Sequence, residues 1–279
     1  MKIIFLKSIL VLCLYIANIP LSMAENKEAL TFGIVPQQTA SKLARLWIPI
    51  MRHLSEKTGV NIHFRTAPSI PEFERRLSEG VYDIAYMNPY HYVVFSKSVG
   101  YRAFAKQSNK RLTGIVVVRK DSSMKNLMDI NNKSLAFPSP AAFAATIIPQ
   151  AELHNNGVKY TPKYVLSHDS VYRTVASGIH EAGGGITRTL NNLDENVRSQ
   201  LKVLWQSKVY TPHAFASHSR VKAEVLEKVS MAMQMLDDKS ESKLLLKAIK
   251  FKGIESAKDS DWNDIRALNI QTSVIEVGK

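Results

Sequence analysis

Residues 30–65 read LTFGIVPQQTASKLARLWIPIMRHLSEKTGVNIHFR, and their spacing decides the fold class. Leu30 to Val35 is a short apolar run of the kind a buried strand needs, and Pro36-Gln37-Gln38 breaks it with a turn. From Ser41 to Lys57 the apolar residues Leu43, Leu46, Trp47, Ile50, Met51 and Leu54 recur at helical intervals, which puts them on one stripe. Gly59 ends that helix, and Val60 to Arg65 resumes a strand. Strand, helix and strand in this order make a unit of a parallel sheet.

The alternation continues downstream. Ile70 to Glu79 reads as a helix closed by Gly80, Tyr82 to Tyr86 as a third strand, the chain from about Asn88 as a helix, and Tyr101 to Ala105 as another strand. A second series opens with a strand at Thr113 to Lys120 and continues with a strand at Leu135, a helix over 142–155, a strand at Tyr164 to Leu166 and a helix at Asp169 to Ser177. The glycine run Gly183-Gly184-Gly185 and a strand at Leu201 to Trp205 complete it. After an extended stretch, Val209 to Ala216, come helices at Lys222 to Leu236, Ser242 to Lys250 and Asp259 to Leu268. These have no strands of their own to cover and are expected to pack back on the first series. The predicted fold is α/β with two lobes, each a mainly parallel sheet flanked by helices. Residues 25–114 with 215–279 form lobe 1 and residues 115–214 form lobe 2. Two crossings, near Ile115 and near Ala214, make a hinge, and a hinge between such lobes puts a ligand cleft at the strand ends.

Upstream of the first strand, Lys2 and Lys7 precede an apolar run from Ser8 to Ile19, and small residues follow at Ser22 and Ala24. This is the pattern of a secretory signal over residues 1–24, with cleavage after Ala24 and export to the periplasm. The apolar run is about a dozen residues, short of the roughly 20 that span a bilayer. The one cysteine of the chain, Cys13, falls inside the signal; it follows Leu12, where lipidation wants a small residue, and its loss leaves no disulfide. Lys and Arg number 37 against 24 Asp and Glu, a formal charge of +13, which steers anions toward the surface. The basic residues are scattered and form no recognition motif, so nucleic acid is not an expected partner. No nucleophile elbow, P-loop or HExxH helix is present, and the reading is a binder, not an enzyme. No cofactor is expected. His91, His168 and His213 would suit a transition metal if a carboxylate joined them, but none has a short ligand spacing.

Several landmarks occur together in order: Phe32-Gly33-Ile34-Val35-Pro36, Tyr82-Asp83-Ile84-Ala85-Tyr86 with Asn88-Pro89-Tyr90, Val118-Arg119-Lys120-Asp121-Ser122, Lys133-Ser134-Leu135-Ala136-Phe137, Ser167-His168-Asp169-Ser170 and Tyr210-Thr211-Pro212-His213. In these the chain resembles the phosphate/phosphite/phosphonate-binding proteins of bacterial ABC transporters over essentially all of its length after the signal, as a divergent branch. The resemblance implies the type 2 periplasmic binding fold, a monomer, and a small, phosphonate-, phosphite- or phosphate-like anion as ligand. It implies an ABC permease as partner, or, in a sensory module of the same fold, a membrane kinase or cyclase. In the family a Ser/Thr-rich segment at a helix start holds the oxyanion. The matching stretch, Pro138 to Thr146, has Ala142, Phe143 and Ala144 at those positions, with Ser139 and Thr146 as the nearby hydroxyls. His213 stands where the family pattern has a carboxylate in the return loop, which there accepts from a protonated phosphonate or an amine.

The candidate ligand-binding residues are Gln37, Gln38, Tyr86, Asn88, Tyr90, Ala142, Phe143, Ala144, His168, Asp169, Ser170 and His213. Each has a plainer alternative. Gln37 and Gln38 can be a solvated turn, Asn88, Asp169 and Ser170 helix caps, Tyr86 and Tyr90 core side chains, and Phe143 ordinary packing between lobes. The resemblance places a ligand-contacting histidine in the loop of His168. Gly183 to Gly185 mark close backbone approach at a strand end, and Arg188 just beyond is either an anion clamp or a surface charge.

Overall fold

The computed structural model describes residues 29–268; the signal segment expected over residues 1–24 lies outside them. The chain begins with β1 (Ala29–Ile34), α1 (Ala40–Thr58), β2 (Asn61–Arg65), α2 (Ile70–Ser78), β3 (Ile84–Met87), α3 (Pro89–Ser98) and β4 (Arg102–Gln107). It crosses to β5 (Gly114–Arg119) and β6 (Lys133–Phe137), then makes a π-helical turn, Phe143–Ile147, that runs into α4 (Ile148–Asn155). Next come β7 (Tyr160–Tyr164), α5 (His168–Ala176), β8 (Ala182–Ile186), the short α6 (Thr187–Leu190) and α7 (Glu195–Arg198), and β9 (Leu201–Gln206). The return passes through β10 (Ala214–Ser217), α8 (Ala223–Gln234), α9 (Ser240–Ala248), β11 (Ile254–Ser256) and α10 (Asn263–Arg266).

Two sheets result, ordered β11-β4-β10-β3-β1-β2 and β7-β6-β8-β5-β9. In the first, β1 pairs in parallel with β2 and β3, while β10 runs against both β3 and β4. In the second, β6 pairs in parallel with β7 and β8, and β5 runs against β8 and β9. In each sheet the strand that follows the crossing into it is reversed, β10 in the first and β5 in the second; β11, at the edge of the first sheet, runs in the same direction as β10. The crossings lie side by side: Leu112 N–H donates to Tyr210 O and Tyr210 N–H to Leu112 O, both at 2.8 Å. A paired, two-stranded connection of this kind is a hinge.

On α1 the stripe Leu43, Trp47, Ile50, Met51 and Leu54 is buried, and the helix ends on Gly59 at φ 73°, a conformation glycine adopts without a Cβ penalty. The C-terminal helices α8 and α9 pack against α1. One expectation about them needs correction, because the segment does carry a strand: β11 pairs antiparallel with β4 at the edge of the first sheet. With three residues it offers too little periodicity to read. A second correction concerns β7, which spans Tyr160–Tyr164 instead of starting at Tyr164. It is an edge strand with Pro162 and mostly exposed side chains, so its sequence lacks the apolar run of a central strand. Leu166, assigned to that strand from sequence, has φ 70° and turns the chain away.

Glycines bring the second lobe's π-helical turn flat against its sheet. A Cβ on Gly184 would sit 1.8 Å from the carbonyl oxygen of Ala145, and one on Gly114 would sit 2.2 Å from that of Ala144. The glycine run therefore admits the protein's own backbone, which fixes the turn above β5 and β8.

Candidate functional site

The ends of β1 and β3 in one lobe meet the π-helical turn, α5 and α6 of the other. Gln37, Asn88, His168, His213 and the turn at Ala142–Ala145 line one small cavity between them. A second is lined by Tyr86, Lys110, Arg111, Thr187, Arg188 and His213, and a third by Gln37, Gln38, Trp47, Tyr86, Arg188 and Lys250. Most of these groups are sequestered: Gln37 is 7 % exposed, Asn88 6 %, His168 3 % and His213 4 %.

Gln37 is the central polar contact. Its Oε1 accepts from Nη2 of Arg188 in the opposite lobe, and its Nε2 lies 3.1 Å from Nε2 of His213. Because the carbonyl end of the amide is taken by a guanidinium, the NH2 end faces the histidine, and His213 Nε2 is the acceptor. His213 is then neutral with its proton on Nδ1. Burial, followed by the positive charge of Arg188, holds its pKa well below the ordinary histidine value. The ring is clamped from several sides. It stacks on Tyr86 with centroids 5.0 Å apart and planes 23° from parallel. The preceding residues are tied to the C-terminal segment, Pro212 O accepting from Trp262 Nε1 at 2.9 Å and Thr211 N–H donating to Asp264 Oδ2 at 2.8 Å.

Asn88 both caps α3 and reaches across the cleft. Its Oδ1 accepts from the N–H of His91 at 2.8 Å, and its Nδ2 donates to Ala141 O of the other lobe at 3.1 Å. Nε2 of the buried His91 lies 2.9 Å from Asn88 Nδ2 and 2.9 Å from Glu74 Oε1, so His91 braces Asn88 from behind and lines none of these cavities. His168 opens α5, where Ser167 supplies the cap. Its Nδ1 is buried without a hydrogen-bond partner, and burial pushes its pKa down to about 3.

The π-helical turn contributes backbone. Ala142 O accepts from Thr146 N–H at 2.7 Å, and the first N–H groups of a helix have no partner within it and carry its positive end. The Thr146 hydroxyl is used within the turn, donating to Ser139 O at 2.7 Å. Phe143 is 1 % exposed and sets its ring edge-on to Tyr210 of the hinge, 5.5 Å between centroids.

Of the residues singled out from sequence, the structure brings together Gln37, Gln38, Tyr86, Asn88, Ala142, Phe143, Ala144, His168 and His213. Tyr90, Asp169 and Ser170 line none of the three cavities. Tyr90 is buried in the first lobe's core, where burial raises its pKa to about 12. Ser170 Oγ is 2.8 Å from Ser167 Oγ in the cap of α5. Asp169 is half-buried there, its pKa raised by burial and opposed by the nearby Lys42. Two cations emerge that the sequence left open or did not flag. Arg188 enters the cleft because α6 follows directly on the glycine strand β8, and Lys110 lies in the first hinge crossing. Its pKa is lowered by burial and then by Arg188 and Lys252. Proximity to the predicted crossing was the one available signal for Lys110.

Two sheets joined by paired crossings over a cationic, polar cleft define a bilobal substrate-binding protein. Residues 32–262 match the family model described as ABC transporter, phosphonate, periplasmic substrate-binding protein, and the chain belongs to that family. Among curated proteins it is similar to the phosphate-import protein PhnD of Mycolicibacterium smegmatis, 22 % identical over 234 residues that cover 72 % of this chain and 70 % of that one. Among solved structures it is similar to a binding protein component of an ABC phosphonate transporter from Pseudomonas aeruginosa, with a TM-score of 0.80 at 17 % identity, covering 88 % and 86 % of the two chains. PhnD1 of Prochlorococcus marinus in complex with methylphosphonate matches with a TM-score of 0.79 at 19 % identity, covering 88 % of this chain and 99 % of that one. At these identities the structural matches establish the shared fold. Among the described residues no helix is long and apolar enough to cross a membrane, and no cluster of three or more His, Cys, Asp or Glu could hold a metal.

Proposed function

We propose that this protein is exported to the periplasm, captures a small phosphorus-type oxyanion between its lobes and delivers it, as a monomer, to an ABC permease. The single observation that carries the ligand class is Arg188, whose guanidinium crosses the cleft to Gln37, a residue that also lines the cavity under the π-helical turn. A guanidinium and a helix N-terminus are the two elements best matched to a tetrahedral anion. Family membership and the methylphosphonate complex of the Prochlorococcus relative support the same class. The residues expected to touch the anion are Arg188, Gln37, His168, His213 and the backbone of Phe143 and Ala144. The lobes, residues 25–114 with 215–279 against 115–214, turn on the Leu112–Tyr210 bridge, and the ligand favours the closed state by binding it more tightly.

A thermal-shift panel of phosphate, phosphite and methylphosphonate, with unrelated organic anions as controls, tests this reading. A ligand at about 100 times its dissociation constant adds roughly 2.7 kcal/mol to stability. A shift with an organic anion and with no phosphorus compound would remove the proposed ligand class.

A further inference from the structure

We infer that the cleft selects anions that carry no ammonium group, so that among otherwise matched ligands the zwitterion is the one rejected. This rests on the proposed function, since it specifies which anions the same cleft takes.

The charge pattern is the first ground. Two of the three cavities between the lobes are lined by cations, Arg188 with Lys250 in one and Arg188 with Lys110 and Arg111 in the other, and among the described residues none of the three is lined by an aspartate or glutamate. An ammonium group brought beside Arg188 and Lys110, both half-buried, meets like charge and no carboxylate, where partial burial weakens screening; Arg111 and Lys250 are exposed and add to the field from the rim. At Lys110 burial and then the charges of Arg188 and Lys252 lower the amine's pKa from its ordinary value.

The second ground is independent of charge. An ammonium could still be held by neutral acceptors, but three of those facing the cleft already accept from the protein. Gln37 Oε1 takes a bond from Arg188, His213 Nε2 one from the Gln37 amide, and Asn88 Oδ1 one from the N–H of His91. The neutral tautomer of His213 carries its proton on Nδ1, so with Nε2 accepting from Gln37 the ring has no free lone pair. With these three acceptors engaged and Arg188, Lys110 and the Gln37 amide as donors, the lining suits an oxyanion better than an ammonium, whose three donors need acceptors. Arg188 therefore acts twice, as a charge and, through Gln37, as the positioning residue that keeps His213 from offering a lone pair.

Calorimetric titration with matched pairs tests the inference: ethylphosphonate against 2-aminoethylphosphonate, propanesulfonate against 3-aminopropanesulfonate, and butyrate against 4-aminobutyrate. The expected result is at least tenfold tighter binding of the ammonium-free member in any pair that binds. In Lys110→Glu, which places a carboxylate at a half-buried hinge position, the gap should narrow at least tenfold. Equal or tighter binding of the ammonium-bearing member overturns the inference and leaves the proposed function standing. An unchanged gap in Lys110→Glu overturns the electrostatic ground. Binding of no member of any pair overturns the inference, and the proposed function falls with it only if phosphate, phosphite and methylphosphonate, titrated alongside, also fail to bind.

Discussion

The ring of His213 lies nearly parallel to that of Tyr86, 5.0 Å away, so the hinge and the third strand of the first lobe present one continuous aromatic and imidazole surface to the cleft. Tyr86 in turn packs on Trp47, Phe215 and Phe251 with centroids 5.3, 4.7 and 5.9 Å away. It is a wall of the site and a part of the core at once.

Substitutions at Tyr86 should separate these roles. Tyr86→Ala removes a fully packed ring and should cost about 3–5 kcal/mol of stability, whereas Tyr86→Phe keeps the ring and should cost under about 1.5 kcal/mol. Urea unfolding of both variants measures this. Equal stability of Tyr86→Ala and wild type would mean that the ring is not part of the first lobe's core.

The buried histidines give the protein an acid-sensitive fold. An unfolded histidine takes up a proton near pH 6.5, while folded His168 stays neutral down to about 3 and His213 also titrates well below its ordinary value. Between those limits the unfolded state binds more protons, so stability rises with pH across the window and is lost as pH falls below 6.5, by up to roughly 1.4 kcal/mol per pH unit for each histidine. Unfolding midpoints at pH 7.5 and 5.5 should differ in this direction, and His168→Gln should show the smaller loss. An identical loss in the variant would assign the acid sensitivity elsewhere.

Gly184→Ala should be severe for a substitution of one methyl group. The added carbon would overlap the backbone carbonyl of Ala145, which cannot rotate aside as a side chain can, and overpacking typically costs 1–3 kcal/mol or more. Gly157 provides the comparison, with φ 68° and nothing within 4 Å of a built Cβ; Gly157→Ala should cost only about 1 kcal/mol of backbone strain. Thermal melts of the two variants should rank in that order. The reverse order would separate the glycine run from the seating of the π-helical turn.

Much of the architecture is legible in residues 30–65 and their repeats, because a sheet buried on both faces demands apolar runs and its covering helices demand a stripe. The stripe Leu43, Trp47, Ile50, Met51 and Leu54 is buried as its spacing implies. Edge elements are not legible in this way. β7 and β11 bury little, so Tyr160–Tyr164 and Ile254–Ser256 carry no such pattern. The site divides along similar lines. Gln37, Asn88, His168 and His213 sit at strand ends or hinge crossings, which topology alone sends to the cleft. Asp169 and Ser170 open the same helix as His168 but line none of the three cavities, a difference of one or two residues of helical rotation that sequence does not resolve. Arg188 is ambiguous in the sequence because a long side chain on a four-residue helix can point to solvent or across the cleft, and its bond to Gln37 decides between them.

The account's central claim is that an oxyanion is held between the lobes by Arg188. Calorimetric titration of wild type and Arg188→Ala with phosphate, phosphite and methylphosphonate tests it most directly. Arg188 is half-buried and belongs to no hydrophobic cluster, so the substitution should leave the fold intact. At least one of the three anions should bind wild type at one site per chain, and Arg188→Ala should weaken that binding tenfold or more, about 1.4 kcal/mol. Undiminished affinity in Arg188→Ala, or no binding of any of the three by wild type, would contradict the account.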